Sequence, residues 1–328
     1  MSRRTVDTVM AEARAASFKT RSIKNAAKNA GLLLALRMVD LTTLEGKDSP
    51  EKVRALCRKA VCPGFTMQGP LPPVAAVCVY PSMIPHALEA LREFGGREES
   101  PRSVSAHQTH IKVAAVATGF PSGQFPLSVR IRDTQEAVRA GADEIDMVIN
   151  RGAFLAGRFD EVAKEIREIK DVCSASASLG GPAHVHLKVI LETGELETLD
   201  NVRRASDLAI EALLADGGQG PAGTGFIKTS TGKVQPAATM PVTLVMLEAI
   251  RDAYLSSGQM IGMKPAGGIR AAKEALHYLV MLKETLGDRW LDPDWFRFGA
   301  STLVNDIVRQ LNKQESGRYA ARYDVTES

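Results

Sequence analysis

The chain has 328 residues, 45% hydrophobic and 24% charged, which suits a soluble globular protein with one large core. Its net charge is only +3; residues 1–37 hold eight Lys or Arg against Asp7 and Glu12, so that segment carries +6 and the remainder about −3. This balance excludes a general nucleic-acid-binding surface. The apolar stretch at residues 31–36 is too short for a membrane span and lies too far in for a signal peptide.

The basic N-terminus, interrupted by Asp7 and Glu12, predicts an extra helical segment over residues 1–37 packed on the domain, in preference to a mitochondrial presequence. Beyond it, short β-branched runs at 38–41, 75–80, 113–117, 144–149, 186–191, 225–228, 260–264 and 297–299 alternate with helical patterns. Those patterns cover 49–59, 84–94, 128–140, 159–172, 199–214, 241–255, 271–286 and 302–313. Strand then helix, eight times over, predicts parallel strands with crossover helices closing into a single α/β domain, a (β/α)8 TIM barrel over 38–313. A doubly wound open sheet fits less well, because the first turn lacks the G-x-G-x-x-G fingerprint. Residues 93–110 and 216–224 read as loops, with 217–223 a flexible glycine-rich insertion, and 314–328 as a polar tail. The four cysteines (Cys57, Cys62, Cys78, Cys173) show no CxxC spacing and read as reduced thiols of a cytoplasmic protein.

Two lysines close β-branched runs: Lys188 in HVHLKVILETGEL and Lys228 in GFIKTSTGK. An ammonium in an apolar strand is costly unless paired or deprotonated. Barrel chemistry sits at the C-terminal ends of strands, and neighbouring strands lie about 4.8 Å apart. Lysines at matching heights on the fifth and sixth strands would therefore depress one another's pKa, giving an amine able to attack a carbonyl at neutral pH. Alternation places His186, Lys188, Ile190 and Glu192 on one face, and Glu144, Asp146 and Val148 on one face of the fourth strand. Asp146, an acid in an apolar strand, is the candidate counter-ion or proton carrier.

Glycine-rich turns follow three late strands, at 230–233 (STGK), 266–268 (AGG) and 299–301 (GAS). Such turns let backbone N–H groups approach an anion, and barrels often hold phosphate there, so a phosphorylated substrate is expected. His184 and His186 lack a Cys or carboxylate cluster to complete a metal site, which disfavours a metal-dependent aldolase. The residues themselves leave open which lysine attacks.

With these residues in view, the chain resembles the deoxyribose-phosphate aldolase family. The matching segments are DLTTL (40–44), AAVCVYP (75–81), VATGFP (116–121), GADEID (141–146), LKVILETGEL (187–196), FIKTSTGK (226–233), KPAGGIR (264–270) and FGAS (298–301). They run through residues 38–312, with spacing closer to the longer, eukaryotic-type branch. The resemblance implies a class I Schiff-base aldolase without metal or other cofactor. Such an enzyme reversibly cleaves 2-deoxy-D-ribose 5-phosphate to acetaldehyde and D-glyceraldehyde 3-phosphate, in deoxyribonucleoside catabolism. It further implies Lys188 as the Schiff-base lysine, Lys228 tuning its pKa and Asp146 in the proton relay. Asp40 and Thr42 would lie near the substrate hydroxyls, and Gly232, Lys233, Gly267, Gly268, Gly299 and Ser301 in the turns that hold the phosphate. A homo-oligomer, with a dimer favoured, is the expected assembly.

The basic extension and the 217–223 insertion depart from the compact family pattern. Compact relatives end in a tyrosine that assists proton transfer; here the last residue is Ser328, so that role is absent or passes to Tyr319 or Tyr323. A transaldolase-like enzyme and a non-catalytic phosphate-binding barrel are the competing readings. Retention of Lys188, Lys228 and Asp146 together counts against the second.

Overall fold

A computed structural model describes residues 5–97, 110–215 and 225–318. The expected 216–224 loop, most of the 93–110 loop, and both Tyr319 and Tyr323 lie outside the described residues. Eight strands form the ring: β1 Val39–Thr42, β2 Ala76–Val79, β3 Lys112–Ala117, β4 Glu144–Val148, β5 His186–Ile190, β6 Gly225–Lys228, β7 Gly262–Lys264 and β8 Phe298–Ala300. Each of β1 to β6 pairs in parallel with its successor, and β8 pairs in parallel with β1. Bridges from Met263 to Phe296 and from Ala266 to Gly299 bring β7 against the β8 segment. Across that seam the Arg297 N–H donates to the Met263 carbonyl at 3.0 Å. The fold is a (β/α)8 barrel.

Alternation divides the strands' side chains between two interiors. Ile145, Met147, Leu187, Val189, Ile227, Met263 and Phe298 join the main core between strands and helices. The intervening positions point into the ring and are charged to an unusual degree: Asp40, Glu144, Asp146, Lys188, Lys228 and Lys264 are all buried there. Gly262 makes room for the Phe226 ring, which a Cβ at 262 would meet at 2.5 Å.

The outer helices begin where capping chemistry allows. Ser49, Thr198 and Thr239 accept from the backbone N–H of Lys52, Asn201 and Val242, and Pro50 and Pro241 sit in the first helical turns. Helix Met240–Ser257 stops at Gly258, whose φ of +71° suits a residue without a Cβ.

The basic N-terminal segment forms two helices. Thr8–Phe18 buries Ala11, Ala15 and Phe18 and lies on helix Met240–Ser257, tied by Arg14 to Glu248 at 2.6 Å. Asn25–Arg37 buries Leu32, Ala35 and Leu36 against helices Ala272–Leu286 and Leu303–Ser316. Two further differences from the sequence reading appear. The last helix continues to Ser316, past the expected tail boundary. A two-residue hairpin, Phe65–Thr66 with Gly69–Pro70, precedes β2; strands this short carry no alternation to read.

Candidate active site

The charged residues inside the ring form one network. Asp146 stands at its centre: Oδ2 accepts from Lys228 Nζ at 2.6 Å and from Lys264 Nζ at 2.8 Å, while Oδ1 accepts from Lys188 Nζ at 3.1 Å. Asp40 Oδ2 takes Lys264 at 2.6 Å and lies 3.6 Å from Lys188, and its Oδ1 accepts from Arg297 Nη1 at 2.6 Å. Glu144 accepts from Lys188 through one oxygen and from Arg297 Nη2 at 3.0 Å through the other. Four cations (Lys188, Lys228, Lys264, Arg297) therefore share three carboxylates, all at most 2% exposed.

The distribution is unequal. Among the described residues Lys188 touches three carboxylates and Lys264 two, whereas Lys228 has Asp146 alone. Burial lowers the affinity of every lysine here for its proton. For Lys188 the carboxylates Asp146 and Glu144 outweigh burial and leave the pKa raised; for Lys264, Asp146 and Asp40 do the same. For Lys228 burial prevails, with Lys264 adding repulsion, and the pKa falls below the ordinary lysine value. Asp146 is held well below the usual carboxylate range: burial opposes this, and the three surrounding lysines overcome it.

Register decides which lysines meet. In the β5–β6 ladder Lys188 lies opposite Phe226, and Lys228 lies opposite Ile190. The two lysines expected at matching heights are thus one layer apart. Lys228 instead lies opposite Lys264, which ends β7 as Lys228 ends β6. Lys188, two residues short of the end of β5, lies opposite Asp146 on β4.

Above this floor opens a cavity of about 390 Å³ lined by Thr42, Lys228, Thr231, Gly232, Lys233, Gly267, Gly268, Arg270, Gly299 and Ser301, among others. Eight of the site residues expected from sequence line it. Asp146, Asp40 and Lys188 lie below, and of the three lysines buried inside the ring only Lys228 lines the cavity among the described residues. Lys188 is fully buried, locked between Glu144 and Asp146 and raised in pKa, which is the reverse of what an attacking amine needs. Asp40 likewise faces Lys264 and Arg297 rather than the cavity, while Thr42 lines the wall with its hydroxyl donated to the Asp40 carbonyl at 2.8 Å.

The glycine turns also differ from expectation in detail. The N–H groups of Gly232, Gly267 and Gly299 donate to Ser230 Oγ, the Gly299 carbonyl and the Pro265 carbonyl. These glycines shape the turns: a Cβ at Gly267 would meet that of Ala237 at 2.6 Å, and one at Gly299 would meet Ala266 at 2.6 Å and Lys264 Cε at 3.1 Å. The Gly268 and Ser301 N–H groups make no such bond among the described residues. Lys233, Arg270 and Lys52 supply positive charge at the rim, with Lys233 Nζ 2.9 Å from Glu45 and Lys52 Nζ 2.6 Å from Asp48.

Lys264, Glu144, Arg297, Arg270 and Lys52 were not picked out from sequence. Lys264 carried the same signal as the other two, an apolar run ending in lysine, and Glu144 shares its strand face with Asp146. Glu192, buried at φ +53°, accepts from the Thr231 N–H and hydroxyl, so the turn after β5 holds the one after β6. His184 is exposed and His186 half-buried, and burial pushes the latter's pKa down to about 4. Among the described residues no group of three His, Cys, Asp or Glu side chains is arranged to hold a metal ion.

Residues 34–306 match the model of a family described as "DeoC/LacD family aldolase". The human deoxyribose-phosphate aldolase is 43% identical over 312 residues, covering 93% of this chain and 88% of the human protein; the mouse enzyme matches to the same extent. The chain belongs to the DeoC/LacD aldolase family. Solved structures agree on the fold. A Toxoplasma gondii protein described as a putative deoxyribose-phosphate aldolase superposes with a TM-score of 0.69 at 22% identity, over 89% of this chain and 97% of that one. The deoxyribose phosphate aldolase of Aeropyrum pernix, described as a tetramer, gives 0.56 at 22% identity, over 89% and 98%. In this DeoC/LacD aldolase the described helices include none long and apolar enough to cross a membrane.

Proposed function

We propose that the chain is a class I deoxyribose-phosphate aldolase with Lys228 as its Schiff-base lysine. The observation that carries this assignment is that, among the described residues, Lys228 is the one ring lysine lining the cavity and the one left with a single, shared carboxylate. The reading from family pattern, with Lys188 as nucleophile and Lys228 as modulator, is thereby revised: Lys264 takes the place of the second lysine, and Lys188 becomes part of the charged floor.

In the cleavage direction the neutral Lys228 amine attacks C1 of the open-chain sugar phosphate, and loss of water gives an iminium ion. Removal of the C3 hydroxyl proton then breaks the C2–C3 bond. The electron pair moves into the iminium as an enamine, and D-glyceraldehyde 3-phosphate departs. Protonation at C2 and hydrolysis release acetaldehyde and restore the amine. Asp146, which accepts from both Lys228 and Lys264, links the two lysines in a continuous proton path at the reacting nitrogen. The rim cations Lys233 and Arg270, with the N–H groups of Gly268 and Ser301, supply the chemistry for the 5-phosphate.

Borohydride trapping with acetaldehyde, followed by peptide mapping, tests the assignment. The adduct is expected on Lys228, and an adduct on Lys188 overturns it. Turnover is expected to be metal-independent, unchanged after prolonged chelation; a loss restored by zinc contradicts that. A cytoplasmic homodimer completes the proposal, and light scattering on the purified chain tests the dimer.

A further inference from the structure

Arg297 has no role in the chemistry described above, yet it is only 1% exposed and sits where the barrel closes. Its fork holds two carboxylates at once: Nη1 bonds Asp40 Oδ1 at 2.6 Å, and Nη2 bonds Glu144 Oε1 at 3.0 Å. Nε donates to the Pro293 carbonyl, and the Phe226 ring lies 6.0 Å from the guanidinium carbon. A guanidinium cannot give up its proton in a protein, so this charge is permanent.

We propose that Arg297 is a positioning residue for the nucleophile: by occupying Asp40 and Glu144 it leaves three lysines short of carboxylate, and the shortfall falls on Lys228. This inference rests on Lys228 being the Schiff-base lysine. The surroundings support the count. Lys228 faces Cys78 from β2, Asp146 from β4 and Lys264 from β7, with Lys188 of β5 one layer below and Asp40 of β1 behind Lys264. The Cys78 thiol adds no charge, because burial raises its pKa. Beyond Arg297, Lys112 is offset by Asp294 at 2.9 Å, and His186 is neutral near pH 7. Cations therefore exceed carboxylates by one, and the lysine with the fewest partners is the one that gives up its proton.

A merely structural tie between β1, β4 and β8 would affect stability and leave the pH profile in place. The test is the pH dependence of kcat/KM for deoxyribose 5-phosphate cleavage, whose acid limb reports the free enzyme's amine, together with mapping of the acetaldehyde–borohydride adduct in the wild type. Arg297→Met balances the charges, and its limb should move alkaline by about one pH unit, a loss of roughly tenfold below the limb that is recovered above it. Arg297→Lys should restore the wild-type limb. Glu144→Gln, which shifts the balance the opposite way, should move the limb toward acid and provides the test if Arg297→Met does not fold. The double variant Arg297→Met/Glu144→Gln should return near the wild-type position. An adduct on Lys228 with unmoved limbs overturns the role of Arg297 and leaves the nucleophile standing. An adduct on another lysine overturns both.

Discussion

The floor of the barrel and its rim use similar residues under opposite conditions. At the floor, lysines and carboxylates are stripped of water, so each charge is set by its neighbours and the number of partners decides who keeps a proton. At the rim, Lys233 and Lys52 keep water-accessible carboxylate partners, Glu45 and Asp48, which an arriving anion can exchange, and Arg270 stands beside them. Under the proposed assignment a lysine's chemistry follows from its height in the ring: Lys188 sits within its strand opposite Asp146, whereas Lys228 ends its strand opposite Lys264.

The largest effect that could break this comparison is at Lys228 itself. Lys228→Ala should abolish turnover and borohydride labelling. Lys188→Met should instead keep the label on Lys228 while losing stability, about 3 kcal/mol, because a buried charge partner is removed. Urea unfolding beside a trapping assay checks the pair. Loss of labelling in Lys188→Met at every pH, with the fold intact, would erase the distinction between the layers.

Next in size is the seam where rim geometry controls the floor. Gly299→Val pushes a side chain against Ala266 and Lys264, and displacing Lys264 by even an ångström should reduce kcat by on the order of a hundredfold. Overpacking adds about 1–3 kcal/mol of destabilisation. Steady-state kinetics with thermal melts separates the two consequences.

Smaller still is the loss of a rim cation. Charge-assisted hydrogen bonds contribute roughly 1.5–3 kcal/mol, so Lys233→Ala or Arg270→Ala should reduce kcat/KM for deoxyribose 5-phosphate by about tenfold or somewhat more. Cleavage of unphosphorylated deoxyribose should change far less, and equal losses on both substrates would remove the phosphate from this rim. Last comes the surface: Arg14→Ala breaks an exposed pair with Glu248, for which chemical denaturation should find no more than about 1 kcal/mol and assays no change in activity.

The fold was legible because the strands are short apolar runs, β-branched in β1 to β6 though not in β7 (GMK) or β8 (FGA), and the crossovers are periodic helices. All eight of those runs became strands, with ends displaced by a residue or two. The rim was legible too, since glycine turns after late strands announce themselves. What could not be read was height. Periodicity says which face of β5 Lys188 occupies, but the ladder register that sets Lys188 against Phe226, and Lys228 against Lys264, depends on how staggered strands close. Arg297 was hidden for the same reason, as its carboxylate partners lie 257 and 153 residues away. Gly267 and Gly299 were recognised as turn residues, but their N–H groups proved to be spoken for within the protein.

The helix Asn25–Arg37 precedes every strand of the barrel, yet it rests against the helices that follow β7 and β8. Arg21 grips Glu284 across a separation of 263 residues, and β1 has no partner on one edge until β8 exists. On the ribosome this helix must therefore wait, with Leu32 and Leu36 uncovered, until the helices after β7 and β8 have emerged. Asp40 waits with it, hydrated and without Arg297. Desolvation of the charged interior thus belongs to the closing moments of assembly, and a chain cut short before residue 297 has nothing with which to complete it.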